Sequence, residues 1–409
     1  MYYCLNKDVF LVKGKAKDAI YDLSIGKLYH LKKSETLILD TVLGAKENLN
    51  FSDKEIAAIS ELTKLNLLVK KSEPETDSIF SHFIKPHINF AWIEICTACN
   101  LKCKHCYNES SPKSNVYLSF DDFKTICTQL KSVGIEKVQL IGGEPFCHKN
   151  ILEMLEYASS LFSFVEVFTN GTLINLETCK FLKEKEIRVA LSVYSYISSE
   201  HDKVTTLAGS HQKTCKTIEN LKNLGVTYRI ATTHMKGICI GEKSTELYSL
   251  HPYKDIVRLS GRADSNLLTK ELLKQKLITK KTFHSKLNKT RVFENLKINH
   301  CFGKKLYVSA NLDVYPCAME RRFSHGNLRN GELKDILKDS ICCMTKDVVD
   351  ECKDCELRYA CYDCRPDSVS DSIFEKPYYC TYKVATGEWA DEDSFVETFF
   401  DKYKINESE

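Results

Sequence analysis

Cys99-Asn-Leu-Lys-Cys103-Lys-His-Cys106-Tyr107 sets three cysteines on one short stretch, separated by three and then two residues, with an imidazole directly before the last. Thiolates are soft ligands that select zinc and iron–sulfur clusters. Three of them on so short a loop can hold three irons of a cubane, and protein cubanes normally take four cysteines. The missing fourth leaves one iron open to an outside ligand. A zinc knuckle is the alternative reading. So is plain burial, because free cysteine is among the most buried residue types.

Further along, Val138-Gln-Leu-Ile141 reads as a buried strand running into Gly142-Gly143-Glu144-Pro145. Glycines let a backbone approach a ligand closely, and an ionised Glu accepts hydrogen bonds from an ammonium group. Alone, the tetrapeptide is a strand-ending turn. Following the cysteine triplet by one strand–helix unit, it resembles the corresponding segment of the radical S-adenosylmethionine (SAM) enzymes. In that family the open iron chelates the amino and carboxylate groups of the methionine moiety. Electron transfer from the cluster then cleaves the sulfonium to a 5′-deoxyadenosyl radical. The resemblance implies a catalytic 4Fe–4S cluster on Cys99, Cys103 and Cys106. It also implies a SAM amino-group site at Gly142, Gly143 and Glu144.

Composition agrees with a cytoplasmic metalloenzyme. The 409 residues, 43% of them hydrophobic, carry a net charge of +3. That suits two or three globular domains and gives no sign of a nucleic-acid or polyanion binder. Nineteen cysteines would suggest disulfides in a small secreted protein, but Met1-Tyr-Tyr-Cys-Leu-Asn-Lys-Asp8 lacks a basic-then-apolar signal pattern. No apolar run approaches the roughly 20 residues a membrane span needs. In a reducing compartment clustered thiols are more often metal ligands than disulfides.

Three parts follow from the pattern. Residues 1–75 offer short strands at Phe10–Val12, Ala19–Leu23 and Lys27–Leu31, then a helix from Ser34 that ends before Gly44. A capping box, Ser52-Asp-Lys-Glu55, opens a second helix over Ile56–Leu65. Three strands and two helices resemble the winged-helix-like RiPP recognition element, which adds a leader peptide as an extra strand to its sheet edge. A merely structural wing is the other reading. Lys70–Asp77 reads as a linker.

Residues 85–265 alternate strands (Ile88–Ile95, Lys137–Ile141, Phe164–Phe168, Arg188–Val193, Thr227–Thr232, Asp255–Leu259) with helices (Ser119–Val133, Ile151–Leu161, Leu176–Lys185, Gln212–Leu224). Repeated βα units predict an α/β fold with a parallel sheet. Six of them match the partial (β/α)6 barrel of the radical SAM fold, whose ligands bind at C-terminal strand ends. Asn170 follows the third strand, Ser192 lies on the fourth and Arg229 on the fifth. By resemblance, Ser192 and Arg229 would meet the SAM carboxylate or ribose; otherwise they are routine strand-end polar residues. His105 or Tyr107 would stack near the adenine, or simply pack against the first helix. His201-Asp202 and Gly209-Ser210 continue a pattern common in one branch, without an assigned chemistry.

Residues 295–390 point to a branch. Cys352-Lys-Asp-Cys355-Glu-Leu-Arg-Tyr-Ala-Cys361-Tyr-Asp-Cys364, then Cys380, resembles the SPASM domain, which carries auxiliary 4Fe–4S clusters. Asn311-Leu-Asp-Val-Tyr-Pro316 between Cys301 and Cys317, and His325-Gly-Asn-Leu328 after them, resemble further SPASM segments. Carried over by position, Cys352, Cys355, Cys361 and Cys380 complete one cluster, while Cys301, Cys317 and Cys364 bind another that lacks an obvious fourth cysteine. Structural zinc is the alternative for any CxxC pair. Two departures stand out: only Tyr362 and Asp363 separate the last pair, where three residues are usual, and Leu312 replaces a usual Gly. Of the nine other cysteines, Cys96 is expected at the end of the first strand, and Cys147, Cys342 and Cys343 as packed thiols.

The layout resembles the peptide maturases of grasp-with-spasm systems. That resemblance implies a ribosomally made precursor peptide as substrate, a thioether or carbon–carbon crosslink, an ATP-grasp ligase in the pathway, and a flavodoxin- or ferredoxin-type reductant. The enzymatic rival is the anaerobic sulfatase-maturating group, which has an acidic residue where this chain has Ala318. A non-catalytic iron–sulfur carrier or sensor is the reading from another class; the Glu144 motif argues against it.

Overall fold

The computed structural model describes residues 1–46, 50–73, 87–250, 255–338, 341–367 and 372–405. The chain forms two compact units, and neither is continuous in sequence. One comprises Met1–Pro86, Leu277–His300 and Cys343–Phe395; the other comprises His87–Lys276, Cys301–Cys342 and Val396–Glu409. The stretch read as a single third part, 295–390, is therefore shared between them.

In the first unit the order is β1 (Tyr2–Leu5), β2 (Val9–Lys13), β3 (Lys17–Asp22), β4 (Lys27–Lys32), α1 (Lys33–Val42), α2 (Asp53–Lys64) and β5 (Leu68–Lys71). The three strands expected from the sequence form one antiparallel sheet, β2-β3-β4. Strands β1 and β5 were not foreseen. They pair with each other, Tyr2 against Lys71, so Lys70 and Lys71 end a strand instead of starting a linker; residues 74–77 of that linker lie outside the described residues. The capping box forms as read, with the Ser52 amide donating to the Glu55 carboxylate at 2.6 Å. The core of this unit mixes distant segments: Phe10, Val12 and Tyr21 pack with Val292, Leu296 and Tyr359.

The second unit holds β6 (Phe90–Cys96), α3 (Phe120–Ser132), β7 (Lys137–Gly142), α4 (Ile151–Leu161), β8 (Phe164–Thr169), α5 (Leu176–Glu184), β9 (Arg188–Ser192), α6 (Ser198–Thr205), α7 (Ser210–Leu224) and β10 (Tyr228–Ala231). It continues with β11 (Lys305–Val308), β12 (Asp313–Tyr315) and β13 (Gly326–Asn327). These strands make one sheet in the order β10-β9-β8-β7-β6-β11-β12-β13. From β10 to β11 all neighbours are parallel. Alternate residues of β6 show why the sheet is covered. Ala91, Ile93 and Ile95 join Phe123, Ile126 and Leu130 of α3 in the main core, while the intervening Trp92 packs on the opposite side, beside Ile141 and Tyr307.

The sixth parallel strand is not Asp255–Leu259. That segment makes only an isolated bridge, Ile256 to His234, because the chain turns at Ser260-Gly261 toward the cysteine loop. The sixth strand is β11, which joins the opposite edge, Lys305 against Phe90.

Leu312, in the turn between β11 and β12, has φ +70°. That is the left-handed region, which costs a residue with a Cβ roughly 1–2 kcal/mol. The usual Gly at this position is thus explained, and the Leu side chain is retained by burial at 2% exposure. Leu312→Gly is expected to be about 1 kcal/mol more stable than Leu312→Ala in urea unfolding, the reverse of the normal Ala–Gly order. Equal or inverted midpoints would refute the strain.

Candidate active site

The cysteine triplet follows β6 on a loop that doubles back on the strand. Thr97 donates to the Val116 carbonyl at 2.9 Å and Cys99 to the Ser111 carbonyl at 3.3 Å. Within the loop the Cys106 amide donates to the Cys103 carbonyl at 3.3 Å, and the Leu101 amide to Cys99 Sγ at 3.4 Å. Burial pushes the Cys103 thiol up to about 12 and raises Cys99 strongly as well. A bare thiol here stays protonated, so thiolate formation depends on a bound metal. Cys96 closes β6, fully buried, as the sequence implied.

All three thiols line one cavity of about 320 Å³, a size ordinary for small-molecule sites. Gly142, Gly143, Asn170, Ser192 and Arg229 line it too, from the ends of β7 to β10, together with His105 and Tyr107. Glu144 does not. Its carboxylate is fully buried and accepts from Thr169 Oγ1 at 2.7 Å, the Asn170 amide at 2.7 Å and the Phe146 amide at 3.0 Å. Burial lifts its carboxyl to about 7 against those three donors. Glu144 here braces the end of β7 against the end of β8. The glycines also let the end of β7 close onto the backbone that follows β6. A Cβ on Gly142 would strike the Cys96 carbonyl, and one on Gly143 those of Thr97 and Ala98. Both therefore allow two backbones to meet, with the Gly143 amide donating to Cys96 and the Glu144 amide to Ala98, each at 2.8 Å.

Asn170 connects this brace to the thiols. Its Nδ2 lies 2.9 Å from Asn100 Oδ1 and 3.9 Å from Cys99 Sγ, and its Oδ1 accepts from Thr172. Ser192 lies beside the Tyr194 side chain, and the Tyr194 ring meets His105 edge-on at 4.8 Å. Burial holds the His105 imidazole down at about 4. Tyr107 packs against Ile141, Tyr307 and Ala318. Arg229 forks onto Glu166, Nη2 to Oε2 at 2.8 Å and Nε to Oε1 at 3.1 Å. Glu166 also accepts from Gln139, which in turn accepts from Trp92 at 2.8 Å. This chain across β6, β7, β8 and β10 was not foreseen. A charged residue inside Phe164-Val-Glu-Val-Phe168 was the available signal. The His201-Asp202 pattern is structural: Asp202 accepts from Gly209, Ser210 and His211 at the start of α7.

The donor set fits a cubane with a small ligand beside it. Three thiols face one cavity, and two of its lining residues, His105 and Ser260, keep a buried polar atom without a hydrogen-bond partner (Nδ1 and Oγ). No three His, Cys, Asp or Glu side chains among the described residues gather as a single metal ion requires, whereas a cubane takes one iron per thiol and spreads its ligands.

In the other unit, Cys352, Cys355, Cys361 and Cys380 line a second cavity with Lys346, Arg358 and Lys376. Lys346 donates to the Cys361 carbonyl at 2.8 Å and pairs with Asp363 at 2.7 Å; Asp363 also meets Arg365. The short Tyr362-Asp363 spacer thus supplies a buried ion pair. Cys364 donates its amide to Tyr379 in this unit. Cys301 and Cys317 belong to the other, and burial, then Cys301, raises the Cys317 thiol to about 11. Cys147 is half-buried against the main core. Cys343 is exposed on a short turn, not packed.

The Radical SAM superfamily profile matches residues 93–242. Over 143 residues the chain is 40% identical to the antilisterial bacteriocin subtilosin biosynthesis protein AlbA of Bacillus subtilis (strain 168), covering 34% of this chain and 32% of AlbA. An AdoMet-dependent heme synthase of Nitratidesulfovibrio vulgaris is 27% identical over 42% of this chain and 44% of its own. The sporulation killing factor maturation protein SkfB of B. subtilis (strain 168) is 28% identical over 34% of each. The chain thus spans between a third and under half of these relatives. Among solved structures, Streptococcus suis SuiB bound to precursor peptide SuiA aligns with a TM-score of 0.55 at 15% identity, over 91% of this chain and 99% of SuiB. Native anSMEcpe with bound AdoMet and Cp18Cys peptide gives 0.53 at 18%, over 76% and 95%. At these identities both likenesses show the fold, an α/β architecture around a mostly parallel sheet. The profile match runs from inside β6 to beyond β10, taking in the three thiols and the ends of five parallel strands, so residues 93–242 of this chain form a radical SAM domain.

Proposed function

We propose that this chain is a cytoplasmic radical SAM enzyme that modifies a ribosomally made precursor peptide, joining two of its residues through a thioether or carbon–carbon bond. The observation that carries this reading is the shared cavity: three thiols and the Gly142–Gly143 edge face the same space at the ends of parallel strands. Cys99, Cys103 and Cys106 would hold the SAM-binding 4Fe–4S cluster. That pair supplies a radical able to abstract hydrogen from an unactivated carbon. The protein's own work is to fix and enclose it. Asn170 steadies Cys99, Glu144 locks the strand ends, and His105 with Tyr194 forms an uncharged wall beside Ser192.

A peptide substrate is supported by AlbA, named for bacteriocin subtilosin biosynthesis, by SkfB, named for sporulation killing factor maturation, and by the fold likeness over 91% of this chain to SuiB bound to its precursor peptide. The first unit offers a place to grip such a chain. β4 ends the β2-β3-β4 sheet with one side unpaired among the described residues, and a sheet edge binds an extended peptide through backbone hydrogen bonds. Auxiliary clusters on Cys352, Cys355, Cys361 and Cys380, and on Cys301, Cys317 and Cys364, an ATP-grasp partner, and a flavodoxin- or ferredoxin-type donor complete the proposal. The sulfatase-type reading is disfavoured at Ala318. Where that group carries an acid, the Ala318 carbonyl accepts from Arg321 Nε at 2.9 Å, and Arg321 lies over the Tyr307 ring.

With SAM, a low-potential reductant and its cognate precursor peptide, the enzyme is expected to lower the peptide's mass by a pair of hydrogens while releasing 5′-deoxyadenosine. A formylglycine product would favour the rival. Leader binding should tolerate side-chain changes, yet weaken about fivefold for each proline at a ladder position, since one hydrogen bond contributes about 1 kcal/mol. Equal affinity for proline-bearing and native leaders, measured by anisotropy, would rule out strand addition.

A further inference from the structure

After β10 the chain returns to the cysteine loop at Ser260-Gly261-Arg262. Arg262 grips that loop three times. Its Nη1 donates to the Cys103 carbonyl at 2.5 Å, its Nη2 to the Ser110 carbonyl at 2.8 Å, and its amide to the Cys106 carbonyl at 3.0 Å. Gly261 makes the approach possible. It sits at φ +60°, and a Cβ there would fall on the carbonyl oxygens of Cys106 and Tyr107. The segment from Cys99 to Tyr117 contains no helix or multi-residue strand of its own, so its shape depends on such outside ties.

We propose that Arg262 is a positioning residue for the radical cluster, setting the relation of Cys103 to Cys106 so that both thiols present to iron together. A planar guanidinium can bridge two carbonyls at once, whereas a lysine ammonium reaches as a point. Groups that orient metal ligands from behind change metal retention by about 10- to 100-fold when removed. This role rests on Cys99, Cys103 and Cys106 holding the cluster.

The test compares wild type, Arg262→Gln, Arg262→Lys, Gly261→Ala and the Cys99/Cys103/Cys106→Ala variant, each purified and reconstituted without oxygen. Iron per chain, the EPR signal of the reduced protein with and without SAM, and the melting temperature are recorded. Arg262→Gln is expected to retain the SAM-responsive signal about 10- to 100-fold less well under limiting iron. Arg262→Lys should fall between, and Gly261→Ala should imitate the loss with the arginine still present. The SAM-independent signal and the melting temperature should stay as in wild type. A SAM-responsive signal unchanged in Arg262→Gln, or lost only together with the other signal and the fold, would overturn the role of Arg262. Equal iron and equal signal in wild type and the triple alanine variant would overturn the cluster assignment itself, and the positioning role with it.

Discussion

Replacing Cys99, Cys103 and Cys106 together by alanine is expected to remove about one four-iron cluster's worth of iron and to abolish 5′-deoxyadenosine formation. The three thiols share one cavity in the second unit, and among the described residues nothing else in its wall offers a soft ligand except Met319. A thioether is a weak substitute for a thiolate, so no replacement set is at hand. The variant should still fold, because Cys103 and Cys106 are only partly buried and the loop that carries all three thiols contributes no helix or multi-residue strand. On the proposed auxiliary-cluster assignment, iron at Cys352, Cys355, Cys361 and Cys380 should remain, since those thiols belong to the other unit. Iron and sulfide analysis with product chromatography checks both halves. Undiminished SAM cleavage would sink the assignment.

What the sequence showed, it showed through chemistry at short spacing. The triplet and Gly142-Gly143-Glu144-Pro145 could be read because each motif is local, and the strand ends because alternating βα patterns mark them. Contacts that depend on tertiary approach left no such local mark. Gly142 and Gly143 are small for the sake of the β6 backbone, and Glu144 faces three internal donors instead of the cavity. Pairing across long separations was hidden altogether. β11 is four residues long and joins the parallel sheet through Phe90–Ile93 of β6, more than 200 residues earlier, and β1 pairs with β5 from the far end of its unit's first segment. Asp255–Leu259 has the composition of a strand, but the turn after it is committed to the cysteine loop, and strand propensity yields to such context. Arg262 carried no local signal at all.

The boundary drawn near residue 75 is the reading most open to a decisive test, at Tyr21. Its side chain is fully buried, its ring stacks on Phe10 at 4.9 Å, and its hydroxyl donates to the Glu356 carbonyl at 2.8 Å. Glu356 follows Cys355 directly and accepts from the Tyr382 hydroxyl at 2.5 Å. The N-terminal sheet and the four-thiol site therefore share one core, and removing residues 1–73 would strip Val292, Leu296 and Tyr359 of their cover. A deletion would confound leader recognition with collapse of that core, which is why proline scanning of the leader is the cleaner probe. Tyr21→Ala is expected to cost about 3–5 kcal/mol from the lost ring, with a further 1–3 kcal/mol or so for the orphaned carbonyl. Tyr21→Phe should cost only the hydroxyl's share. Iron at Cys352, Cys355, Cys361 and Cys380 should fall in Tyr21→Ala while the SAM-responsive signal of the other unit persists. If Tyr21→Ala keeps its auxiliary iron and melts like wild type, the N-terminal sheet is a separable domain after all, and the boundary read from the sequence stands.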